Sequence, residues 1–413
     1  MRLSVRIAVS GMFWLGSANA QALQSLARAE KPQVLDTLRQ LVELESPSND
    51  RAGLDAMAEL LRKRLVALGG SVEFHEASPD SVKLQGAPEQ LGKAVVARFT
   101  GTGKGRVLVL AHMDTVHPRG TLVTRPFRID GGRAFGPGIA DDKGGVAVIL
   151  HALAMLRNTG FTGYKVLTVL ISADEEVGTP GTRKLIASLA NEHDSVLSCE
   201  PGRNDQFILA TTGVGAAVLT VNGKAAHAGV NPQDGRNALI ELAHQILQSR
   251  DLSVSERGLQ FNWTIAKAGT VRNAIPDVAT AEADVRVQTL ADYDSIERRF
   301  IAVVTKENLI PGTRIEGRFE RRRPPLEPTD GARALYRKAQ VIFAEIGMNM
   351  PYSERRMYAS DAAFAGESGK AAVLEGLGLV GYGFHSPDEE YVDIDSIVPR
   401  LYLLARMIVE ASK

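Results

Sequence analysis

Val107-Leu108-Val109-Leu110-Ala111-His112-Met113-Asp114 is an unbroken apolar run that ends in a histidine and an acid. A continuous apolar run of this length reads as a strand buried on both faces. The same pattern recurs twice: Val166 to Ser172 leads into Asp174-Glu175-Glu176, and Val196 to Ser198 leads into Cys199-Glu200. Ala94 to Phe99 makes a fourth strand. Gly144 to Leu156, apolar on most faces, makes a buried helix. Strands alternating with helices in this way predict an α/β domain, a mostly parallel sheet covered by helices. Upstream, residues 32–70 read as helix, with Leu35, Leu38, Leu41 and Val42 at helical spacing and a second run from Met57 to Leu68 closed by Gly69-Gly70.

From 214 the pattern changes. Val214 to Val221 reads as a strand, and Asn237 to Leu247 as a helix with Leu239, Leu242, Ala243, Ile246 and Leu247 on one stripe. Phe261 to Ala268 and Val278 to Val287 alternate like half-buried strands. Tyr293 to Val304 is helical and Arg314 to Phe319 a last strand. The order β-α-β-β-α-β is ferredoxin-like. The expected organisation is a larger α/β domain over 21–213 and 323–413, interrupted by a smaller α+β insert over 214–322.

The chain has 413 residues, 44% of them hydrophobic, which suits two cores better than one. Its 48 basic and 48 acidic side chains give no net charge, which argues against a nucleic-acid binder. The single cysteine, Cys199, excludes a disulfide framework and a multi-thiolate zinc site. Residues 1–20 have the anatomy of a secretory signal peptide: basic Arg2 and Arg6, the apolar run Ile7 to Leu15, and Ala18-Asn19-Ala20 as cleavage signal. The expected product is a periplasmic or secreted protein with no membrane partner.

The chemistry lies in where acids and histidines fall. In open α/β sheets, ligands bind just beyond the carboxyl ends of strands. His112, Glu175, Glu176 and Glu200 all stand there, and Gly138-Ile139-Ala140-Asp141-Asp142-Lys143-Gly144-Gly145 adds two acids at the start of the buried helix. Carboxylates crowded in this way repel one another unless a cation neutralises them. Histidine nitrogen with carboxylate oxygen and no thiolate suits a catalytic zinc site. Asp114, two residues past His112, is placed to orient its imidazole. Gly101-Thr102-Gly103-Lys104-Gly105 lacks phosphate-loop spacing and reads as a hairpin turn. His75, His117, His151, His193 and His244 read mostly as exposed residues.

His112-x-Asp114, the Asp141-Asp142-Lys143-Gly run, Asp174-Glu175-Glu176 and Glu200, with Gly383-Phe384-His385-Ser386 near the end, resemble the dinuclear zinc amidohydrolases. That group includes acetylornithine deacetylase, succinyl-diaminopimelate desuccinylase, aminoacylase and the secreted glutamate carboxypeptidases. The resemblance implies that Asp141 bridges two zinc ions, with His112 and Glu200 on one and Glu176 and His385 on the other. It makes Glu175 the general base and the Asp141–Asp142 peptide cis. It makes His227 an oxyanion-stabilising donor that reaches the partner subunit's site, Asn273 a substrate-binding residue, and Arg323 the grip on a terminal carboxylate. The insert is then a dimerisation and lid domain, and the chain a homodimer.

The function so implied is a zinc exopeptidase releasing a C-terminal amino acid, glutamate first, from N-acyl amino acids or short peptides. An aminoacylase-like deacylase or dipeptidase of other specificity is the alternative. From a different class, a non-catalytic zinc-dependent binding protein is the rival. Met357-Tyr358-Ala359 replaces a glycine-rich run common in the group, so the resemblance does not carry folate-type substrates over.

Overall fold

Six strands form the main sheet, in the order Ser71–His75, Ala94–Thr100, Val166–Ser172, Arg106–His112, Ser195–Ser198, Ala372–Leu374. The computed structural model describes residues 8–413 apart from 79, 80, 203–205, 305, 354 and 356, with backbone alone for 8–19 and 353. Arg106–His112 is parallel to both its neighbours, and Ala94–Thr100 runs antiparallel to both of its own. The sheet is therefore mostly parallel, as the continuous apolar runs required. Val107, Val109 and Ala111 face one hydrophobic cluster together with Val169 and Ile171. Leu108, Leu110 and Leu170 alternate with them and are just as buried. Both faces are covered, which is why these strands do not alternate in polarity.

The helices Ala8–Glu43, Lys143–Asn158 and Ile397–Ala411 pack on one another against that cluster. The stretch expected to be helical over 32–70 is two helices, Ala8–Glu43 and Arg51–Ala67, separated by Leu44 to Asp50. Asp50 caps the second by accepting from the Gly53 amide at 3.1 Å. Gly69, at φ +99°, and Gly70 close it by returning hydrogen bonds to Val66 and Leu65. Residues 1–7 of the expected signal peptide lie outside the described residues, and 8–20 form the first turns of the first helix.

The chain divides into two compact units. The second comprises 210–327 with 356–359, and its sheet is antiparallel, in the order Gln260–Ala268, Val278–Val287, Gly213–Asn222, Arg314–Arg323. With the helices Ala238–Gln248 and Leu290–Val304 it has the ferredoxin-like order. Ala217, Leu219, Val221, Ala281 and Val285 meet Ile296 and Phe300 in its core. The unit extends a few residues beyond 214–322 because its entry and exit strands pair: the Thr211 amide donates to the Leu326 carbonyl at 3.1 Å, and the Thr212 amide to Tyr358.

Two expectations need correction. On the helix Ala238–Gln248, Leu239 and Leu247 are exposed, whereas Glu241 and Gln245 are wholly buried. The Glu241 carboxylate accepts from the Ile310 amide at 2.6 Å and from Gln245 at 2.8 Å, so the buried carboxylate is satisfied inside. Gly101 to Gly105 is not a hairpin, because Val166–Ser172 lies between the strands it joins. Glycine is needed at 103 because a Cβ there would stand 1.6 Å from the Gly163 carbonyl.

Candidate metal centre

Arg106–His112 is long enough to carry His112 to the end of the sheet, where its ring is 1% exposed. Its Nδ1 lies 3.0 Å from the Asp114 carbonyl and 3.4 Å from the Asp114 carboxylate. The main-chain oxygen is thus the closer orienting partner. The Asp114 carboxylate, completely buried, has another occupation: its Oδ1 accepts from the Glu175 amide and its Oδ2 from the Glu176 amide, each at 3.1 Å. Ser48 donates to Oδ2 at 2.7 Å. One aspartate therefore ties the turn that follows Val166–Ser172 to the strand that carries His112.

Asp141 stands before the helix Lys143–Asn158, and its peptide bond to Asp142 is cis, as the resemblance implied. Its Oδ1 is 2.9 Å from His112 Nε2 and its Oδ2 3.4 Å from His385 Nε2. Glu200 Oε1 lies 3.7 Å from His112 Nε2, and Glu176 Oε2 3.3 Å from His385 Nε2. Two groups of side chains could each hold a metal ion: His112, Asp142 and Glu200, and Asp141, Glu176 and His385. Asp142 is the weaker donor of the first group, since Oδ1 caps the helix at the Gly145 amide and Oδ2 accepts from the His112 amide. Asp141, with one oxygen toward each imidazole, is placed to serve both.

The donor set fits cations. Among the described residues, the bases within ion-pair distance of Asp141, Glu176 and Glu200 are the imidazoles of His112 and His385 alone. Burial pushes the Glu200 and Glu176 carboxyls above the usual carboxylate range. Desolvation opposes a charged His112, but its hydrogen bonds with Asp114 and Asp141 outweigh that and raise its pKa well above the usual imidazole value. Hydrogen bonds to Asp141 and Glu176 push His385 up to about 10. A bound cation would favour neutral imidazole and ionised carboxylate, the metal-binding forms of these side chains. His385 is 57% exposed while the other donors are largely covered, so the cluster opens to solvent on that side.

Glu175 is 6% exposed and immediately precedes Glu176 on the turn held by Asp114. The other three predicted residues belong to the second unit. His227 is exposed, and its Nδ1 accepts from the Gly229 and Val230 amides, each at 3.1 Å. That fixes the neutral tautomer with its proton on Nε2. Asn273 is also exposed, and its carbonyl accepts from the Ala228 amide at 2.9 Å, so it neighbours His227. Arg323 ends the strand Arg314–Arg323, is 8% exposed, and donates from Nη1 to the Ala359 carbonyl at 2.9 Å.

Sequence reasoning missed Ser48 and Glu390. Glu390 is 1% exposed and accepts from the Gly138, Ala140 and Asp141 amides and from His117. A signal existed: Asp388-Glu389-Glu390 follows His385 much as the acid run at 174–176 follows its strand. Nothing marked Ser48. His117, His151 and His193 are buried rather than exposed, because Glu390, Glu30 and Thr168 respectively partner their ring nitrogens.

Residues 108–410 match Peptidase family M20/M25/M40. The chain is 38% identical to Carboxypeptidase G2 of Pseudomonas sp. (strain RS-16) over 99% of its own length and 97% of that protein. It is 28% identical to acetylornithine deacetylase of Proteus mirabilis (strain HI4320) over 91% of its length and 96% of that enzyme. Among solved structures, a family M20 metallo-carboxypeptidase from Sulfolobus solfataricus superposes with a TM-score of 0.70 at 16% identity, covering 91% of this chain and 98% of that one. A Staphylococcus aureus tripeptidase superposes at 0.75 with 20% identity, covering 92% and 98%.

Proposed function

The chain belongs to peptidase family M20/M25/M40, and on that premise we propose that it is a two-zinc metallo-carboxypeptidase that frees a C-terminal amino acid, glutamate first, from N-acyl amino acids or short peptides. The observation that carries the reading is the Asp141 carboxylate, with one oxygen toward His112 and the other toward His385. His112, Asp141 and Glu200 would hold one cation, and Asp141, Glu176 and His385 the other. When bound, two such cations polarise the scissile carbonyl and make water acidic enough to attack near neutral pH.

The remaining steps belong to the protein. Glu175 takes the proton of the attacking water and returns it to the departing nitrogen, a two-way task suited to a carboxylate held beside the ligands. His227, its Nδ1 occupied by two amides, offers the Nε2 proton to the oxygen on which charge develops. Asn273 contacts the substrate, and the Arg323 fork grips its terminal carboxylate, a planar pairing that lysine cannot match. The insert then supplies the lid and the homodimer contact, and residues 1–20 direct export to the periplasm or beyond before cleavage after Ala20.

The test is to incubate the metal-loaded protein with N-benzoyl-glutamate and with other N-acyl amino acids, with and without chelator. Glutamate release that chelator abolishes is expected. Release of another amino acid in preference moves the specificity toward the deacylases, in keeping with the acetylornithine deacetylase relative. No release from any substrate by a zinc-loaded chain overturns the peptidase reading in favour of a zinc-dependent binding protein.

A further inference from the structure

Glu390 is a glutamate with no solvent: its side chain is 0% exposed. A buried carboxylate is tolerated only where charge-assisted hydrogen bonds replace its water. Four donors do so here. Oε2 accepts from His117 Nε2 at 2.7 Å and from the Gly138 amide at 2.9 Å. Oε1 accepts from the Ala140 amide at 2.9 Å and the Asp141 amide at 3.1 Å. Three of the four donors are consecutive or near-consecutive amides of the loop that ends in Asp141. The carboxylate grips that loop by its backbone, so side-chain changes in the loop would not release it.

The main chain of Glu390 belongs to the other half of the same cluster. Its amide donates to the Ser386 carbonyl at 3.0 Å, and its carbonyl accepts from the Gly136 amide at 3.4 Å. Gly383, at φ +72°, opens this turn, and a Cβ there would stand 2.2 Å from the Glu389 carbonyl. His385 itself sits at φ +64°. The spacing from His385 to Glu390 is thereby set by a tight turn, and the spacing from Glu390 to Asp141 by the carboxylate. The two meet where His385 Nε2 comes within 3.4 Å of Asp141 Oδ2.

We propose that Glu390 is a positioning residue for metal loading. It fixes Asp141 against His385, with His117 holding its carboxylate in place, and so shapes the cation site made by Asp141, Glu176 and His385. The inference rests on the two-ion reading above. A glutamate that merely stabilised the fold would not distinguish one cation from the other, whereas this role does. It sets two of the three ligands of that site and only Asp141 of the site shared with His112 and Glu200.

Glu390→Gln is the sharp variant, because whichever way the amide turns, its NH2 faces backbone or imidazole donors. Metal-free wild type and E390Q are titrated with zinc against a competing chromophoric chelator, and thermal unfolding of the metal-free proteins is recorded alongside. One zinc equivalent is expected to bind about 10–100-fold more weakly in E390Q, the usual cost of removing a partner behind a ligand. The second equivalent should weaken less; the buried amide should also lower the metal-free unfolding temperature, which the unfolding record measures apart from zinc affinity. Two equivalents at wild-type affinity, or equal weakening of both, overturn the proposal. If E390Q does not fold, Glu390→Asp decides: its retracted carboxylate should give the same selective weakening, and wild-type affinities in folded E390D sink the idea. A wild-type chain that takes up fewer than two equivalents overturns the two-ion reading, and this role with it.

Discussion

At the scale of single residues, adjacent carboxylates on one turn stand in different surroundings. Glu175 and Glu176 both owe their position to Asp114, whose two oxygens hold their two amides. Glu176, with Oε2 3.3 Å from His385 Nε2, belongs to one of the two groups of side chains that could hold a metal ion, and Glu175 to neither. Glu175→Ala should therefore lower turnover by about 10²–10⁴-fold, the contribution of general acid–base catalysis, and leave zinc content unchanged. Steady-state kinetics with metal analysis on the same preparation check this; loss of zinc in step with activity would show that Glu175 is a ligand instead. Asp114 could be expected from its place two residues after His112, although the part it plays is wider than orienting a ring. Ser48 was out of reach for a different reason, and Glu390 was signalled only by the acid run after His385. Each reaches the cluster through backbone or carboxylate partners far away in sequence, and neither a hydroxyl nor an acid shows in the sequence whom it will meet.

At the scale of elements, the sequence was most legible where burial was complete. Val166–Ser172 and Val278–Val287 have the limits their residues predict, one from a continuous apolar run and the other from alternation. The edge strands Ser71–His75 and Ala372–Leu374 gave no such signal, since they are short and half exposed or flank a turn. The helix Ala238–Gln248 shows a third case, in which existence was legible and orientation was not. Its inward face includes Glu241 and Gln245 because the Ile310 amide and the Glu307 carbonyl meet them there. Hydropathy cannot register a polar group whose partner lies some sixty residues on. The start of that helix is better determined: the Asn237 side chain accepts from the Leu239 and Ile240 amides at 3.0 and 3.2 Å. Asn237→Ala should destabilise the insert by about 1 kcal/mol, the usual cost of losing such a cap. Chemical denaturation followed by the fluorescence of Trp263, which packs on Phe261 and Phe300 in the insert's core, measures it. An unchanged midpoint would mean that tertiary packing alone sets the helix start.

At the scale of the whole molecule, the residues proposed for the reaction fall into two units that can be tested apart. His112, Asp141, Glu175, Glu176, Glu200 and His385 all belong to the unit that holds the six-stranded sheet, and His227, Asn273 and Arg323 all belong to the insert. The insert leaves and rejoins through adjacent strands, with the Thr211 amide 3.1 Å from the Leu326 carbonyl. Its two ends are thus close enough for a few glycines to replace everything between them without stretching the chain. Each unit also has its own hydrophobic cluster, so neither depends on the other for a core. A chain in which residues 212–325 give way to a short glycine linker should fold, bind zinc through the donors it retains, and lose turnover by more than about 10²–10³-fold, since that much goes with a single oxyanion donor. Zinc titration and kinetics on the same protein separate the outcomes. Retained turnover would remove His227, Asn273 and Arg323 from the reaction. Loss of zinc binding in a folded protein would mean that the insert helps to hold the metal, and that the division of labour drawn from the two units is wrong.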